Sequence, residues 1–282
     1  MVRPVRVLLT NDDGIDARGL KALVVATAAW ARRAPGRELV VVAPDRNYSG
    51  AGASVGEVYR RSSIAYSRSG VAGADDVECF ALDASPALCV LVGAWPHAAE
   101  HPDVVVAGVN AGVNVGRSVL HSGTVGAILT GSQLGLSGLS VSMQWTDDPP
   151  FEVAADLAVE VLDQLVLAPP RTLLNLNVPA LAAHELRGVR RGRVSTAGIV
   201  RAADQPADPL AEAGEIALRL GSAVPALGDV SDEEPEDDGA LVAAGFASIT
   251  PLRSVHEDTD AGADDAIRAA LDAVSHHLHA AC

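Results

Sequence analysis

Lysine is almost missing from this chain: Lys21 is the single lysine, and 36 acidic residues stand against 21 basic ones for a formal net charge of −15 over 282 residues. Such a balance argues against binding nucleic-acid backbone or an anionic membrane surface, since both call for a positive field. A small anionic substrate stays compatible if a metal ion supplies positive charge locally. Aromatic residues are also scarce, at 3%, so the 49% apolar fraction must build its core from aliphatic side chains. Three cysteines, Cys79, Cys89 and Cys282, show no metal-type spacing. The first falls in an apparent strand and the second in an apparent helix, which reads as reduced core thiols. No run of roughly 18 apolar residues is present to span a bilayer. The opening Met-Val-Arg-Pro-Val-Arg leads straight into a strand without a leader-like apolar stretch, and a cytoplasmic location is expected.

What the chain does have is alternation. Apolar runs over residues 5–10, 39–43, 77–82, 104–107, 139–143 and 173–177 read as strands. Between them, residues 20–30, 86–94, 124–134 and 151–165 carry apolar side chains at helical spacing or as apolar helices. Strands alternating with helices predict an α/β fold: a Rossmann-like, mostly parallel sheet with helices on both faces. Residues 55–75, rich in Gly and Ser, read as a hairpin or flap. Beyond Pro179 the pattern loosens, with irregular strands over 185–230, an acidic run over 231–239, a strand over 245–252 and a helix over 264–278. The acidic run reads as a solvated loop. Residues 1–180 are therefore taken as a catalytic core. Residues 181–282 are taken as a C-terminal extension for oligomerisation or substrate enclosure, not an independent domain.

The first strand ends in Asn11-Asp12-Asp13-Gly14. In an open α/β sheet, ligands bind beyond the carboxyl ends of the strands. Two neighbouring carboxylates there repel unless a proton or a cation lies between them. A hard divalent ion meets that need, taking one or two carboxylates and leaving other positions to water and phosphate. The alternative is an Asx-type turn with Gly14 in a left-handed conformation.

Several familiar signatures fail. Gly108, Gly112 and Gly116 are spaced four apart, so they form neither a dinucleotide fingerprint nor a phosphate loop with its lysine. The segment around Asp12 does not fit an EF-hand. Gly52-Ala53-Ser54-Val55-Gly56 does match a nucleophile elbow, which requires a strand before it and a helix after it. Here a polar loop precedes and a hairpin-like stretch follows, so a serine hydrolase using Ser54 is kept as an alternative only. The remaining polar segments each follow a strand: Asn47 and Ser49 after the second, Asn110 and Asn114 after the 104–107 strand. All offer oxygen donors, as a hard cation requires. Ser122-Gly123-Thr124 opens an apolar helix, where free N–H groups and the helix dipole attract phosphate; alternatively Ser122 only caps the helix.

Taken together, Thr10-Asn11-Asp12-Asp13-Gly14-Ile15, Ala43-Pro44-Asp45-Arg46-Asn47, Ser49-Gly50, Gly108-Val109-Asn110-Ala111-Gly112, Ser122-Gly123-Thr124-Val125 and Asn175-Leu176-Asn177-Val178-Pro179 resemble, in order and spacing, the SurE family. The resemblance covers residues 5–180, and Ser248-Ile249-Thr250-Pro251-Leu252 echoes the family's C-terminal strand. It implies a metal-dependent phosphatase of nucleoside 5′- and 3′-monophosphates, using Mg²⁺ or Mn²⁺. It makes Asp12, Asp13, Ser49 and Asn110 the metal ligands, with Asn114, Ser122, Gly123 and Thr124 lining the phosphate site. Asp12, Asp13, Asn114, Ser122 and Thr124 would carry the chemistry, with water as the attacking group. Asn11 and Asn47 would orient the ligands. A C-terminal segment exchanged between subunits implies a homodimer or homotetramer.

The chain departs from the family pattern at Asp83-Ala84-Ser85-Pro86-Ala87-Leu88-Cys89, where a leading glycine and an acidic residue are lost, and at Arg117-Ser118 and His121. These departures leave the proposed ligands intact and bear on substrate choice. His121 is a candidate proton donor to the leaving oxygen, or a wall or surface residue. Arg117 is a candidate contact for a second anionic group, or one half of a salt bridge. Two other readings stand beside the nucleotidase: the same chemistry on a specialised phosphorylated metabolite, and a non-catalytic oligomeric binding homologue.

Overall fold

The computed structural model describes residues 4–95, 101–196, 200–202, 218–220 and 235–256, together with 265, 267, 268, 270, 271 and 274. The chain divides into one unit ending at Leu252 and a second beginning at Arg253. In the second, Asp265, Ile267, Arg268, Ala270, Leu271 and Val274 are helical, inside the stretch expected to form the terminal helix.

The first unit begins β1 (Val5–Thr10), α1 (Arg18–Arg32), β2 (Arg37–Pro44), β3 (Tyr66–Ser69), β4 (Glu78–Leu82), α2 (Pro86–Gly93), β5 (Val104–Ala111) and α3 (Gly123–Gln133). It continues β6 (Ser137–Met143), α4 (Phe151–Leu165), β7 (Leu173–Val178), β8 (Val189–Arg191), β9 (Val200–Ala202), β10 (Leu218–Leu220), α5 (Asp238–Ala243) and β11 (Ala247–Leu252). Nine strands form one sheet in the order β3-β4-β2-β1-β5-β6-β7-β11-β8. From β4 to β7 every pairing is parallel; β3 and β11 join antiparallel, and β8 lies parallel to β11. This is the mostly parallel α/β sheet expected, with antiparallel edges. The segment over 55–75 contributes the exposed edge strand β3, hairpin-paired to β4.

Side-chain parity within the strands explains the layers. On β1, Val7 and Leu9 join a core under α1 and α4, whereas Leu8 joins a second core under α2 and α3. Strands covered on both faces read as continuous apolar runs, as β1 and β5 do. Cys79 and Cys89 are buried free thiols, as expected; burial raises both, Cys89 so far that no thiolate forms near neutral pH. Cys282 lies outside the described residues. Among those residues no helix is long and apolar enough to cross a membrane.

Two expectations change. β5 runs on to Ala111, four residues past the apolar run, across a break in its register with β6 between Ala107 and Asn110. Gly108 makes this possible: its φ is +141°, and a Cβ there would lie 2.3 Å from the carbonyl oxygen of Val141. The solvated acidic loop over 231–239 also fails at its far end. Asp237 caps α5, its carboxylate accepting the N–H of Ala240 at 2.7 Å, and Asp238 is fully buried. An acidic run has no apolar periodicity to betray a buried member, so the sequence reads as uniformly solvated. Residues 231–234 lie outside the described residues.

Candidate functional site

The sheet order places the switch point between β1 and β5: from β1 the chain winds first toward β2 and later toward β5. A crevice opens beyond the carboxyl ends of strands at such a point. Residues following β1, β2 and β5 therefore share one edge, although 98 positions separate Asp13 from Ala111.

The turn after β1 is closed by Asn11, whose side-chain amide donates to the carbonyl of Gly14 at 2.8 Å, with Gly14 at φ +101°. The turn and the ligand readings thus coexist: Asn11 shapes the turn and leaves both aspartates at its apex. Asp12 is 3% exposed. One of its oxygens accepts the Thr124 hydroxyl at 2.6 Å, and the other accepts the Thr124 N–H at 3.2 Å. Asp13 accepts from the amide of Asn47 and from the N–H of Ala111, both at 3.2 Å. Neither carboxylate pairs with a lysine or arginine among the described residues. Burial raises the Asp12 carboxyl, Thr124 partly offsets it, and Asp13 pushes it further up; burial likewise raises Asp13. Two adjacent acids short of positive charge are what a bound cation would relieve.

The other predicted ligands lie around this pair. The Asn47 amide oxygen accepts the N–H of Ser49 at 2.7 Å, so one side chain links Ser49 to Asp13. Asn110 turns its amide nitrogen to the carbonyl of Gly112, which leaves its amide oxygen as the free end. No group of three or more His, Cys, Asp or Glu is placed to hold a metal ion among the described residues. The donor set is two carboxylates, an amide and a hydroxyl, which fits a hard ion and not zinc.

The start of α3 is in direct contact with this set. A Cβ on Gly123 would lie 2.7 Å from the Asp12 Cβ and 2.9 Å from its carboxylate, so only glycine lets the helix come this close. Ser122 does cap the helix, its hydroxyl oxygen accepting the Val125 N–H at 3.1 Å. Its hydroxyl hydrogen stays available as a donor. Thr124 is committed to Asp12 through both its N–H and its hydroxyl. Gly123 keeps its N–H. Asn114 is held from behind: its amide donates to the Ser142 hydroxyl at 2.9 Å, and its main chain bonds to Asn175 and Asn177.

The other candidates sit apart. Ser54 is exposed in a turn, its hydroxyl accepting the Gly56 N–H at 3.1 Å, with no strand before it or α-helix after it. His121 and Arg117 are exposed, and Arg117 makes no ion pair among the described residues. Asp83, which opens the stretch that departs from the family pattern, binds Arg46 at 2.7 Å and Arg61 at 2.9 Å. The Arg46 bond, then the charge of Arg61, holds its carboxyl below the ordinary range. Arg46 lies 4.9 Å from the Tyr48 ring, and the network borders the Asn47–Ser49 turn. Residues with no assigned role in the sequence, Ser142, Asn175, Asn177 and Asp238, prove to be the scaffold of Asn114 and its turn. The polar alternation of Leu173-Leu174-Asn175-Leu176-Asn177 was the available signal, since a buried strand spends polar side chains on partners.

Fold and site define a class: a doubly wound α/β protein with two adjacent carboxylates in contact with a helix N-terminus at the sheet's switch point. The chain belongs to the SurE family, whose model, described as "Survival protein SurE", matches residues 7–201. It is 36% identical over 250 residues to the 5′/3′-nucleotidase SurE of Cronobacter sakazakii, covering 88% of this chain and 90% of that one. It is 36% identical over 254 residues to the 5′-nucleotidase SurE of Deinococcus radiodurans, with 88% and 87% covered. The crystal structure of the SurE protein from Aquifex aeolicus superposes with a TM-score of 0.68 at 28% identity, over 91% of this chain and 95% of that one.

Proposed function

We propose that this protein is a metal-dependent phosphomonoesterase that hydrolyses nucleoside 5′- and 3′-monophosphates. The observation that carries this reading is the contact between Asp12 and Thr124, which joins the carboxylate pair to the first turn of α3. A cation on one side and a phosphoryl group on the other would then be neighbours. The names of the relatives, all nucleotidases, support the substrate class.

In this reading Asp12, Asp13, Ser49 and Asn110 hold the ion, Mg²⁺ or Mn²⁺, which supplies Lewis acidity at the phosphoryl group. Asn47 keeps Asp13 and Ser49 in register. The Gly123 N–H and the Ser122 hydroxyl donate to phosphoryl oxygens as charge builds on them, with Asn114 on the facing turn. Thr124 acts through Asp12, fixing its carboxylate. Water is the attacking group, and no side chain needs to form a covalent bond. We extend the proposal to a core over 1–180, a C-terminal extension exchanged within a homodimer or homotetramer, and a cytoplasmic location.

The test is phosphate release from an aryl phosphate and from nucleoside monophosphates with Mg²⁺, Mn²⁺ or EDTA, for the wild type and Asp12→Asn. Release that needs the ion and collapses in the variant supports the proposal; release indifferent to EDTA sinks it. A second reading, the same chemistry on a specialised metabolite, is favoured by Asp83 and its two arginines at the rim. Sugar phosphates and polyphosphate in the same panel decide it: a clear preference for nucleoside monophosphates removes it.

A further inference from the structure

Asp238 is the least exposed acid of the described residues, at 0% exposure, and the proposed reaction does not use it. Its carboxylate accepts from backbone N–H groups. Both oxygens accept the N–H of Gly116, at 3.1 and 3.0 Å; one also accepts from Ser195 at 3.1 Å and from Gly239 at 2.9 Å. No lysine or arginine of the described residues pairs with it. Burying a carboxylate without a counter-charge is costly, and seating a six-residue helix does not call for it. What the carboxylate supplies is acceptor capacity for three N–H groups from three segments, α5 itself, the 193–195 loop and the turn after β5.

That turn, Asn114-Val115-Gly116, is held at every residue. The Asn114 N–H donates to the Asn177 amide oxygen at 2.7 Å, and its carbonyl accepts from Asn175 at 2.8 Å and Asn177 at 3.0 Å. Ser140 fixes the Asn175 amide at 2.8 Å. The Val115 carbonyl accepts the Ser118 hydroxyl, and its side chain is buried against Val242 and Ala243 of α5. Gly116 is the residue Asp238 grips, and from it a 3₁₀ turn over Gly116–His121 leads directly to Ser122. The two ends of this stretch, Asn114 and Ser122, are among the proposed phosphate contacts.

We infer that Asp238 is a positioning residue for the phosphate half of the site, acting with Asn175 and Asn177 to clamp the Asn114–Gly116 turn, an inference that presupposes Asn114 and Ser122 as phosphate contacts. The start of α5, far along the chain, thereby sets the geometry in which phosphate is met, while none of the hydrogen bonds to the carboxylates after β1 comes from the Asn114–Gly116 turn. Asparagine in its place would turn an amide N–H₂ toward backbone donors and lose part of the grip at nearly unchanged volume.

The experiment compares the wild type, Asp238→Asn and Asp237→Ala. Inorganic phosphate affinity is read by product inhibition, and Mn²⁺ affinity by the paramagnetic signal of the free ion. Asp238→Asn is expected to weaken phosphate by at least about tenfold, the scale on which misplaced contacts act, and to leave Mn²⁺ affinity unchanged. Asp237→Ala removes the cap of the same helix without touching Gly116 and is expected to keep wild-type phosphate affinity. Equal phosphate affinity in Asp238→Asn and wild type overturns the inference, as does an equal loss in both variants, which would mark a merely weakened α5. If Asp238→Asn does not fold, Asn177→Ser, which removes two of the three bonds between the Asn114 main chain and β7, carries the same expectation and the same overturning result. A wild type that releases no phosphate with either ion fails the parent reading, whatever the variants do.

Discussion

Two adjacent aspartate pairs, Asp12–Asp13 after β1 and Asp237–Asp238 at the start of α5, invite comparison because the same dipeptide is put to opposite uses. In each pair one carboxylate is almost fully buried and accepts backbone N–H groups at a helix start. At α5 these donors complete the coordination: Asp237 is a cap, and three backbone N–H groups surround Asp238. After β1 each oxygen has a single donor, and the two acids sit together at the sheet's switch point with their charge unmatched. One pair is held by donors from three segments of the protein, and the other is the pair we propose as metal ligands. What separates the two is not counter-charge, which both lack among the described residues, but the backbone N–H groups from three segments that converge on Asp238.

This contrast can be broken at either pair. The largest effect is expected for Asp12→Asn: activity should fall by at least about 100-fold, beyond what loss of an outer partner costs. The melting temperature without metal should not fall, since a buried unmatched charge is removed. A variant that loses stability without metal would show Asp12 to be scaffold after all. Asp238→Ala should do the reverse and destabilise the fold by about 3 kcal/mol in urea unfolding, because three N–H groups lose their acceptor. Asp237→Ala should cost about 1 kcal/mol, the usual value of an N-cap.

The pH dependence sharpens the comparison further. Burial raises the Asp238 carboxyl above its ordinary 3.8, partly countered by the N–H groups of Gly116, Ser195 and Gly239, with Asp237 adding to the rise. A raised acid binds more protons folded than unfolded across the window above 3.8, so its contribution to stability falls as pH rises through that window. The stability advantage of wild type over Asp238→Asn should therefore shrink from acidic toward neutral pH. An advantage that grows would mean that the hydrogen bonds outweigh burial. The smallest effect belongs to Ser54→Ala, in the exposed turn: activity unchanged and stability within about 0.5 kcal/mol. Loss of activity in that variant would restore the serine hydrolase.

Much of this was legible in the chain. The strand and helix runs follow from apolar spacing, and the Asp12–Asp13 pair announces itself because two acids close a strand that is otherwise apolar. Asn47, Ser49 and Asn110 follow strands in the same way. Asp238 was not legible: its neighbours in the chain are acidic, and nothing local separates a buried carboxylate from a solvated one. The end of β5 was likewise hidden, since continuation past Gly108 depends on how closely Val141 approaches.

The sequence by itself determined the α/β alternation, the two-sided burial of the sheet and the family, because periodicity and short ordered motifs are local properties of a chain. Tertiary structure alone decided that Thr124 would bind Asp12, that Asn175 and Asn177 would hold Asn114, and that Asp238 would be buried against the turn at Gly116. Those outcomes depend on which donors arrive from segments 60 to 120 residues away, and a hydrogen bond is settled by where its partner lies, not by the residues on either side of it.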